Sequence, residues 1–384
     1  MVEFVFVHGV ATRPGAGYDT MVVNRDALLK AVLFAGNPVT ITSPMWGNHA
    51  SNLVWGGAVF QHGGDDIGSL SLGLGMAGGI GMNTADFSGE GDGAMLAAVA
   101  TASPAAAIDE LFATLVATAN AEGRALDADE LEQFQAAAQL LAEDGVVSAT
   151  EEMAEGAFVD ALREDMGVAG SYGALGDTLK AAARRVTGMG RNVIGQGLVA
   201  LFRDQLNPAV AMFLGDIFAY LKPSPMREAI RATVIHDLAA AHQRAKDQKS
   251  KLILMGHSLG GVILYDLLSS PQSVGLPPGF KVDAFITVGS QPGLFEELTL
   301  FDHVAAERGK PHHVAGPANV GLWLNIFDPI DLFGFKASPV FAQARDFEFD
   351  SGTGLASAHT TYFSRPQFHA KLRQRLIDER LLVV

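Results

Sequence analysis

The sequence contains no cysteine, and this absence excludes several kinds of chemistry at once. Disulfide bonds, a cysteine nucleophile and thiolate metal ligands all require a thiol, so none of them is available to this chain. The acidic pairs Asp65 with Asp66 and Asp127 with Asp129 lack surrounding ligands in a recognisable ion-binding loop, and we interpret them as turn and helix-cap residues. We therefore expect neither a metal nor a cofactor.

Basic residues are also scarce, because 27 Lys and Arg face 42 Asp and Glu and leave a formal net charge of −15. Such a charge repels nucleic acid and anionic lipid at long range, so a nucleic-acid function is disfavoured. Charged residues make up only 18% of the chain and hydrophobic residues 48%, which is enough for a sizeable core in 384 residues.

The N-terminus lacks the basic region of a cleavable signal sequence and enters an apolar run at once. We therefore expect a cytoplasmic protein, with export by a signal-less route left open. Ile67–Ala85 is uncharged and near the length of a membrane span. Its six glycines, with interrupting Ser, Asn and Thr, favour a loop instead.

Short apolar runs alternate with helical patterns in much of the chain, which predicts an α/β fold with a mostly parallel, doubly wound sheet. The predicted strands are Val2–Val7, Val39–Thr42, Lys251–Met255, Val282–Val288 and Leu322–Phe327. The predicted helices of this part are Asp19–Phe34, Met226–Asp247, Gly261–Leu268, Glu296–Glu307 and Pro366–Arg380.

The alternation stops between residues 48 and 223, which are rich in Gly and Ala and mostly helical in pattern. We expect an insertion here, forming a cap or lid, with residues 1–47 and 224–384 as the core. Helix starts are indicated by Pro104 after Ser103. The capping-box spacings Asp127-x-x-Glu130 and Ser148-x-x-Glu151 indicate two more.

A nucleophile motif follows the third predicted strand: Gly256-His257-Ser258-Leu259-Gly260, with a helical pattern after it. A strand, a sharp turn and a helix are the context in which G-x-S-x-G exposes a serine oxygen. The pentapeptide alone is weak evidence for a catalytic serine in a glycine-rich chain, whereas the flanking strand and helix favour that function. With Gly261, the motif resembles the nucleophile elbow of lipases and esterases of the α/β-hydrolase superfamily. That resemblance implies an α/β-hydrolase fold with a large helical lid and Ser258 as nucleophile.

The resemblance also implies an oxyanion hole made by two backbone amides. Leu259, directly after the nucleophile, supplies one of them. Val7-His8-Gly9-Val10 closes the first predicted strand, and by resemblance to lipases with a His-Gly-apolar turn Val10 supplies the other. His8 would then brace the loop; a plain strand-terminating turn is the alternative interpretation.

The superfamily's chain order is Ser, then acid, then His. Two aspartates follow the last predicted strand: Asp331 is favoured as the acid because Leu332 and Phe333 come after it, and Asp328 remains the alternative. The order leaves His359 and His369 as bases. We favour His359, which lies in a loop before the final predicted helix, and interpret His369 within that helix as a surface histidine.

These residues predict a serine hydrolase that cleaves carboxylic esters, of the lipase or esterase kind, on a small-molecule or lipid acyl substrate. A peptidase, amidase or thioesterase with the same triad is the first alternative. A non-catalytic interaction protein on a hydrolase fold is the second. The apolar insertion leaves open a transient contact with a membrane or lipid surface, and the oligomeric state is not indicated by the sequence.

Overall fold

The computed structural model describes residues 1–55, 103–142, 159, 161–162, 166, 211–272, 274–302, 314–351 and 358–384. The chain divides into two compact units. The first contains the described residues of 1–14, 37–75 and 206–350, and the second those of 15–36, 76–205 and 351–384. Since the predicted insertion 48–223 is described only in part, its extent stays a prediction.

The first unit is built on a six-stranded sheet with the order β2-β1-β3-β4-β5-β6, in which every strand pairing is parallel. The strands are β1 Val2–Val7, β2 Val39–Thr42, β3 Lys251–His257, β4 Val282–Val288, β5 Val320–Phe327 and β6 Ala344–Glu348. The predicted α/β fold with a mostly parallel sheet is therefore confirmed. All six side chains of β1 are buried, and five of the six are apolar, so only Glu3 interrupts the apolar run.

The helices are α1 Ala16–Leu28, α2 Pro104–Ala121, α3 Ala128–Ala142, α4 at residues 211–221, α5 Pro225–Gln248, α6 Leu259–Ser269, α7 Pro292–Glu297 and α8 Pro366–Asp378. A π-helical turn, Leu29–Leu33, continues α1, and short 3-10 turns lie at Trp46–His49 and Tyr362–Ser364. In the described part of the chain, no helix is long and apolar enough to cross a membrane. Ile67–Ala85 lies outside the described residues.

Two predictions about the first unit were wrong. The strand β6 was missed, because its sequence ARDFE is half-exposed and carries charges. The predicted helix Glu296–Glu307 begins earlier, with Pro292 at its first position, and ends before Thr299, whose φ of +55° is left-handed. Leu298–Asp302 is not helical, and 303–307 lies outside the described residues.

The second unit has its own apolar core, which α1, α2, α3 and α8 form around residues such as Phe112 and Phe134. Its helix starts follow the predicted signals: Ser103 accepts a hydrogen bond from the amide of Ala106 (3.3 Å). Asp127 and Glu130 accept from each other's amides, at 2.8 and 3.0 Å, which confirms that capping box. The spacing at Ser148 lies outside the described residues.

His369 lies in this core and not on the surface, so the prediction of a surface histidine was wrong. Its helix presents it to Phe134, whose ring centroid is 5.6 Å away, and its Nε2 donates to the carbonyl of Phe363 at 2.8 Å. Burial lowers the pKa of His369 to about 4. Asp109 is also buried and accepts from the amide of Gln367 at 2.9 Å. Burial raises the pKa of Asp109 to about 6, against the opposing charge of Arg365.

These two groups should have opposite effects on the pH dependence of stability. Between pH 6.5 and 4 the unfolded state binds a proton at His369 that the folded state does not, so acidification destabilises the protein. Between about pH 6 and 3.8 the folded state binds a proton at Asp109 that the unfolded state does not, so acidification stabilises it. Each full effect is about 3 kcal/mol, and the two largely cancel.

We therefore expect Asp109→Asn to steepen the loss of unfolding free energy on acidification, by up to about 1.4 kcal/mol per pH unit. His369→Gln, which keeps a donor for the Phe363 carbonyl, should shift the slope in the opposite direction, so that acidification costs less stability than in the wild type. Urea unfolding of the full chain at pH 4.5, 5.5 and 6.5 measures both. The double variant should return to the wild-type slope, and identical slopes in all four proteins would contradict the expectation.

Candidate active site

Ser258 occupies a strained turn between β3 and α6. Its φ of +52° and ψ of −128° are rarely adopted by a residue with a side chain. The Ser258 amide donates to the carbonyl of Val288, and its carbonyl accepts from the amide of Gly261, both at 3.0 Å. The side chain is buried, whereas the motif predicts an exposed oxygen, and within the described residues its Oγ has no hydrogen-bond partner. A buried hydroxyl of this kind calls for a functional explanation.

Close packing at this turn leaves room only for glycine two residues before and two residues after Ser258. A Cβ on Gly260 would lie 2.1 Å from the carbonyl oxygen of Val7. One on Gly256 would lie 2.4 Å from the Cα of Gly261. Because each clash is with backbone, it could not be relieved by rotating a side chain. The start of α6 therefore lies against both β3 and the end of β1.

The turn also lies where parallel sheets tend to bind ligands. The chain leaves β1 for β2 on one side and later places β3 on the other, so strand order reverses between β1 and β3. Ligands in open parallel sheets bind at the carboxyl ends of the strands at such a reversal. In addition, α6 begins at Leu259, so its positive N-terminal end adjoins Ser258 and favours negative charge there.

The structure brings the predicted oxyanion residues to the same corner. A Cβ on Gly9 would lie 2.8 Å from the Cβ of Ser258, so the loop after β1 packs directly on the serine. Val10 is the next residue of that loop. Leu259 is the first residue of α6, where backbone amides have no acceptor within the helix. The loop that carries Val10 and the first residue of α6 thus both adjoin Ser258.

His8 braces this loop. Its Nδ1 lies 2.8 Å from the carbonyl of Gly9, and since a carbonyl only accepts, Nδ1 carries the proton. The His8 ring stacks on Trp46 with centroids 4.6 Å apart, and Trp46 Nε1 donates to the His8 carbonyl at 2.9 Å. In a trans peptide the Gly9 carbonyl and the Val10 amide point in opposite directions. Holding the carbonyl therefore orients the amide.

Both candidate acids lie just beyond β5 and are buried. Oδ1 of Asp328 accepts from the amide of Ile330 at 2.9 Å, and Oδ1 of Asp331 accepts from the amide of Phe333 at 2.8 Å. Each aspartate thus stabilises its own turn by the same type of contact. Because the two contacts are alike, they do not distinguish the two acids. Asp331 therefore stays the favoured acid on the sequence argument, with Asp328 as the alternative.

Hydrogen bonds connect the acid segment to the serine turn through the loop after β4. Ser290 Oγ donates to the Ser258 carbonyl at 2.6 Å. Gln291 Nε2 donates to the Phe333 carbonyl at 2.5 Å. The segments after β3, β4 and β5 are therefore held in register by side chains. Gln291 belongs to no motif, so the sequence alone does not indicate this contact.

The candidate base belongs to the second unit. His359 lies half-buried in the turn 358–360, before the 3-10 turn Tyr362–Ser364 and α8. His369 has a buried ring whose Nε2 is committed to the Phe363 carbonyl, as a core histidine would be. The favoured base is therefore still His359.

A pocket of about 350 Å³ lies between α7 and the segment after β5, with Glu297, Phe327 and Lys336 in its wall. Ser258 is not among its lining residues, so we assign it no part in the candidate site. In the part of the chain that the structure describes, no three His, Asp or Glu side chains cluster in a way that could hold a metal ion.

Comparison of the chain with protein-family models gives no match, and a search of curated proteins gives no relative.

Proposed function

We propose that this protein is a serine hydrolase of the α/β-hydrolase kind, which cleaves carboxylic esters through Ser258, His359 and Asp331, with Asp328 as the alternative acid. The observation that carries the proposal is the buried Ser258 Oγ on a left-handed turn at the start of a helix, with no hydrogen-bond partner in the described residues. Such a turn stores strain of roughly 1–3 kcal/mol, which a purely structural serine would not need.

In the proposed mechanism His359 removes the proton of Ser258, whose oxygen attacks the acyl carbonyl. Asp331 holds the imidazole and stabilises the imidazolium that forms. The amides of Val10 and Leu259 receive the negative charge of the tetrahedral intermediate. His359 then protonates the leaving alcohol, and water hydrolyses the acyl-enzyme by the same steps. The chemistry draws only on side chains and backbone amides of this chain.

The proposal that the substrates are carboxylic esters rests on resemblance and on the predicted insertion, 48–223. The apolar character of that insertion is typical of a lid over an acyl pocket. Its last helix, α4, places Phe213 against Phe333 of the acid segment, with ring centroids 4.5 Å apart. The exposed Leu214 and Phe218 lie on the same helix, and Leu332 is exposed beside the acid. Apolar side chains near the acid segment suit an acyl chain better than a charged substrate.

A fluorophosphonate probe, which reacts with activated serines, tests this proposal. We expect stoichiometric labelling of the wild type and none of Ser258→Ala. Ser269→Ala is the matched control: Ser269 ends the same helix, its Oγ donates to the Tyr265 carbonyl at 2.7 Å, and labelling should be unchanged. A wild type that resists the probe, or a Ser258→Ala variant that is labelled equally, would show that the hydrolase proposal is wrong.

Substrate class is tested on the same protein with p-nitrophenyl esters of increasing acyl length and with peptide amides. An acyl pocket predicts that kcat/KM rises with chain length, by up to about fourfold per added methylene that is buried. A preference for short acyl groups would contradict a lipase. Faster cleavage of amides than of esters would favour the peptidase or amidase alternative.

A further inference from the structure

Asp216 is a fully buried carboxylate that joins three segments of the first unit. It lies on α4 and accepts five hydrogen bonds. Oδ2 receives the amide of Ala11 at 2.7 Å and one Arg13 nitrogen at 3.0 Å. Oδ1 receives the other Arg13 nitrogen at 2.7 Å, and the hydroxyl and amide of Ser51 at 2.6 and 3.0 Å. A carboxylate offers about four lone-pair sites, so Asp216, with five donors, is saturated.

The partners of Asp216 are themselves linked, so the network is closed. Arg13 also donates to the carbonyls of Ser51 at 2.7 Å and Thr12 at 3.0 Å. Burying a charged pair contributes little net stability, because the desolvation cost offsets the attraction. What a bidentate, saturated pair does supply is a fixed geometry. The segment that it fixes begins at Ala11.

Ala11 has a φ of +57°, a left-handed conformation that an alanine does not adopt without external support. The support is the bond from its own amide to Asp216. Val10 precedes it and carries the predicted oxyanion amide. His8 holds the loop from the Gly9 side, and Asp216 holds it from the Ala11 side. Val10 is therefore fixed between two anchored peptides.

We propose that Asp216 is a positioning residue, which holds the Val10 amide in the orientation that receives the oxyanion formed at Ser258. The role rests on the proposed hydrolase function. Gly9 places this loop against Ser258, where its Cβ would be 2.8 Å from the serine Cβ, so a small rotation at Ala11 changes where the Val10 amide points. Misplacing a catalytic group by about 1 Å costs up to about 100-fold in rate.

Asp216→Asn tests this role because it keeps the shape but turns one acceptor oxygen into a donor. That NH₂ group would face either the Ala11 amide or the Ser51 amide, and both are donors. We expect kcat for the best p-nitrophenyl ester to fall about 10- to 100-fold with KM unchanged, since an oxyanion amide acts in the transition state only. The Ki of a trifluoromethyl ketone, which forms a tetrahedral oxyanion on Ser258, should rise by the same factor.

Glu3→Gln is the matched control. Glu3 is an equally buried acid of the same unit and pairs with Arg244 at 2.9 Å, on β1 but near its opposite end. Its variant should lose stability while kcat and Ki stay at wild-type values. A purely structural role for Asp216 would give this same pattern, so the paired shift of kcat and Ki is the distinguishing readout.

If Asp216→Asn does not fold, Ser51→Ala carries the test, because it removes only the hydroxyl bond to Oδ1. It should shift kcat and Ki together by about three- to tenfold. If the wild type is active and the variant that folds keeps the wild-type kcat and Ki, the role of Asp216 is overturned while the hydrolase proposal stands. A wild type that neither hydrolyses esters nor reacts with fluorophosphonate would overturn the hydrolase proposal, and this role with it.

Discussion

Asp331→Asn is expected to lower kcat about 10³- to 10⁴-fold while the protein stays folded. Asparagine keeps the oxygen that accepts from the Phe333 amide, so the turn after β5 should persist. In the proposed mechanism the variant loses the negative charge that would stabilise the imidazolium, and its NH₂ group would favour the wrong tautomer of His359. The measurement is kcat for an ester substrate, beside a thermal unfolding curve for each protein.

Asp328→Asn is the matched control, since Asp328 makes the same kind of turn contact, with the Ile330 amide. We expect less than about a tenfold change in kcat, because the proposed mechanism assigns the orienting carboxylate to Asp331 and not to Asp328. The opposite ranking of the two variants would assign the acid to Asp328. Near-normal kcat in both would remove the triad from the proposed mechanism and leave Ser258 without an oriented base.

Gly260→Ala is expected to destabilise the protein by about 4 kcal/mol or more, which makes it the largest stability effect that we predict. The added methyl would lie 2.1 Å from the Val7 carbonyl oxygen and 2.6 Å from that of His8. Relief requires moving either the end of β1 or the start of α6, and both segments are buried. Urea unfolding of the full chain measures the loss.

Gly316→Ala provides the control for that substitution. Its Cβ would come as close as 2.4 Å to another atom, but that atom is the side-chain oxygen of Gln343, which can rotate away. The cost should be about 1 kcal/mol, for the weakened bond from Gln343 to the Val320 carbonyl. Equal destabilisation by the two substitutions would mean that Gly260 is not set by backbone contact.

Local pattern was enough to predict five of the six strands, including the edge strand β2. The strands β1, β2 and β4 match their predicted bounds, because each is a short run rich in β-branched or aromatic residues that ends in loop residues. The edge strand β6 was not predicted, because its charged and partly exposed side chains do not form an apolar run. The start of α7 could have been found, because Pro292 marks a first helical position.

The candidate site was predictable where a motif carries it and hidden where it depends on distant contacts. Ser258 and its glycines form one continuous motif, so their strand, turn and helix follow from sequence. Asp216 was missed because its partners Ala11, Arg13 and Ser51 lie at least 165 residues away along the chain. The available signal was a single charge within the apolar helix α4, which predicts a buried, paired carboxylate.

The pairing of β1 with β3 determines when this corner of the molecule can form during synthesis. Val2 pairs with Lys251, so about 250 residues separate the two strands along the chain. At roughly 5–20 residues per second, a ribosome takes on the order of 10–50 s to make that stretch. The loop after β1 therefore has no serine turn to pack against until β3 has been made, and β1, with five apolar side chains out of six, stays without that neighbour through most of translation.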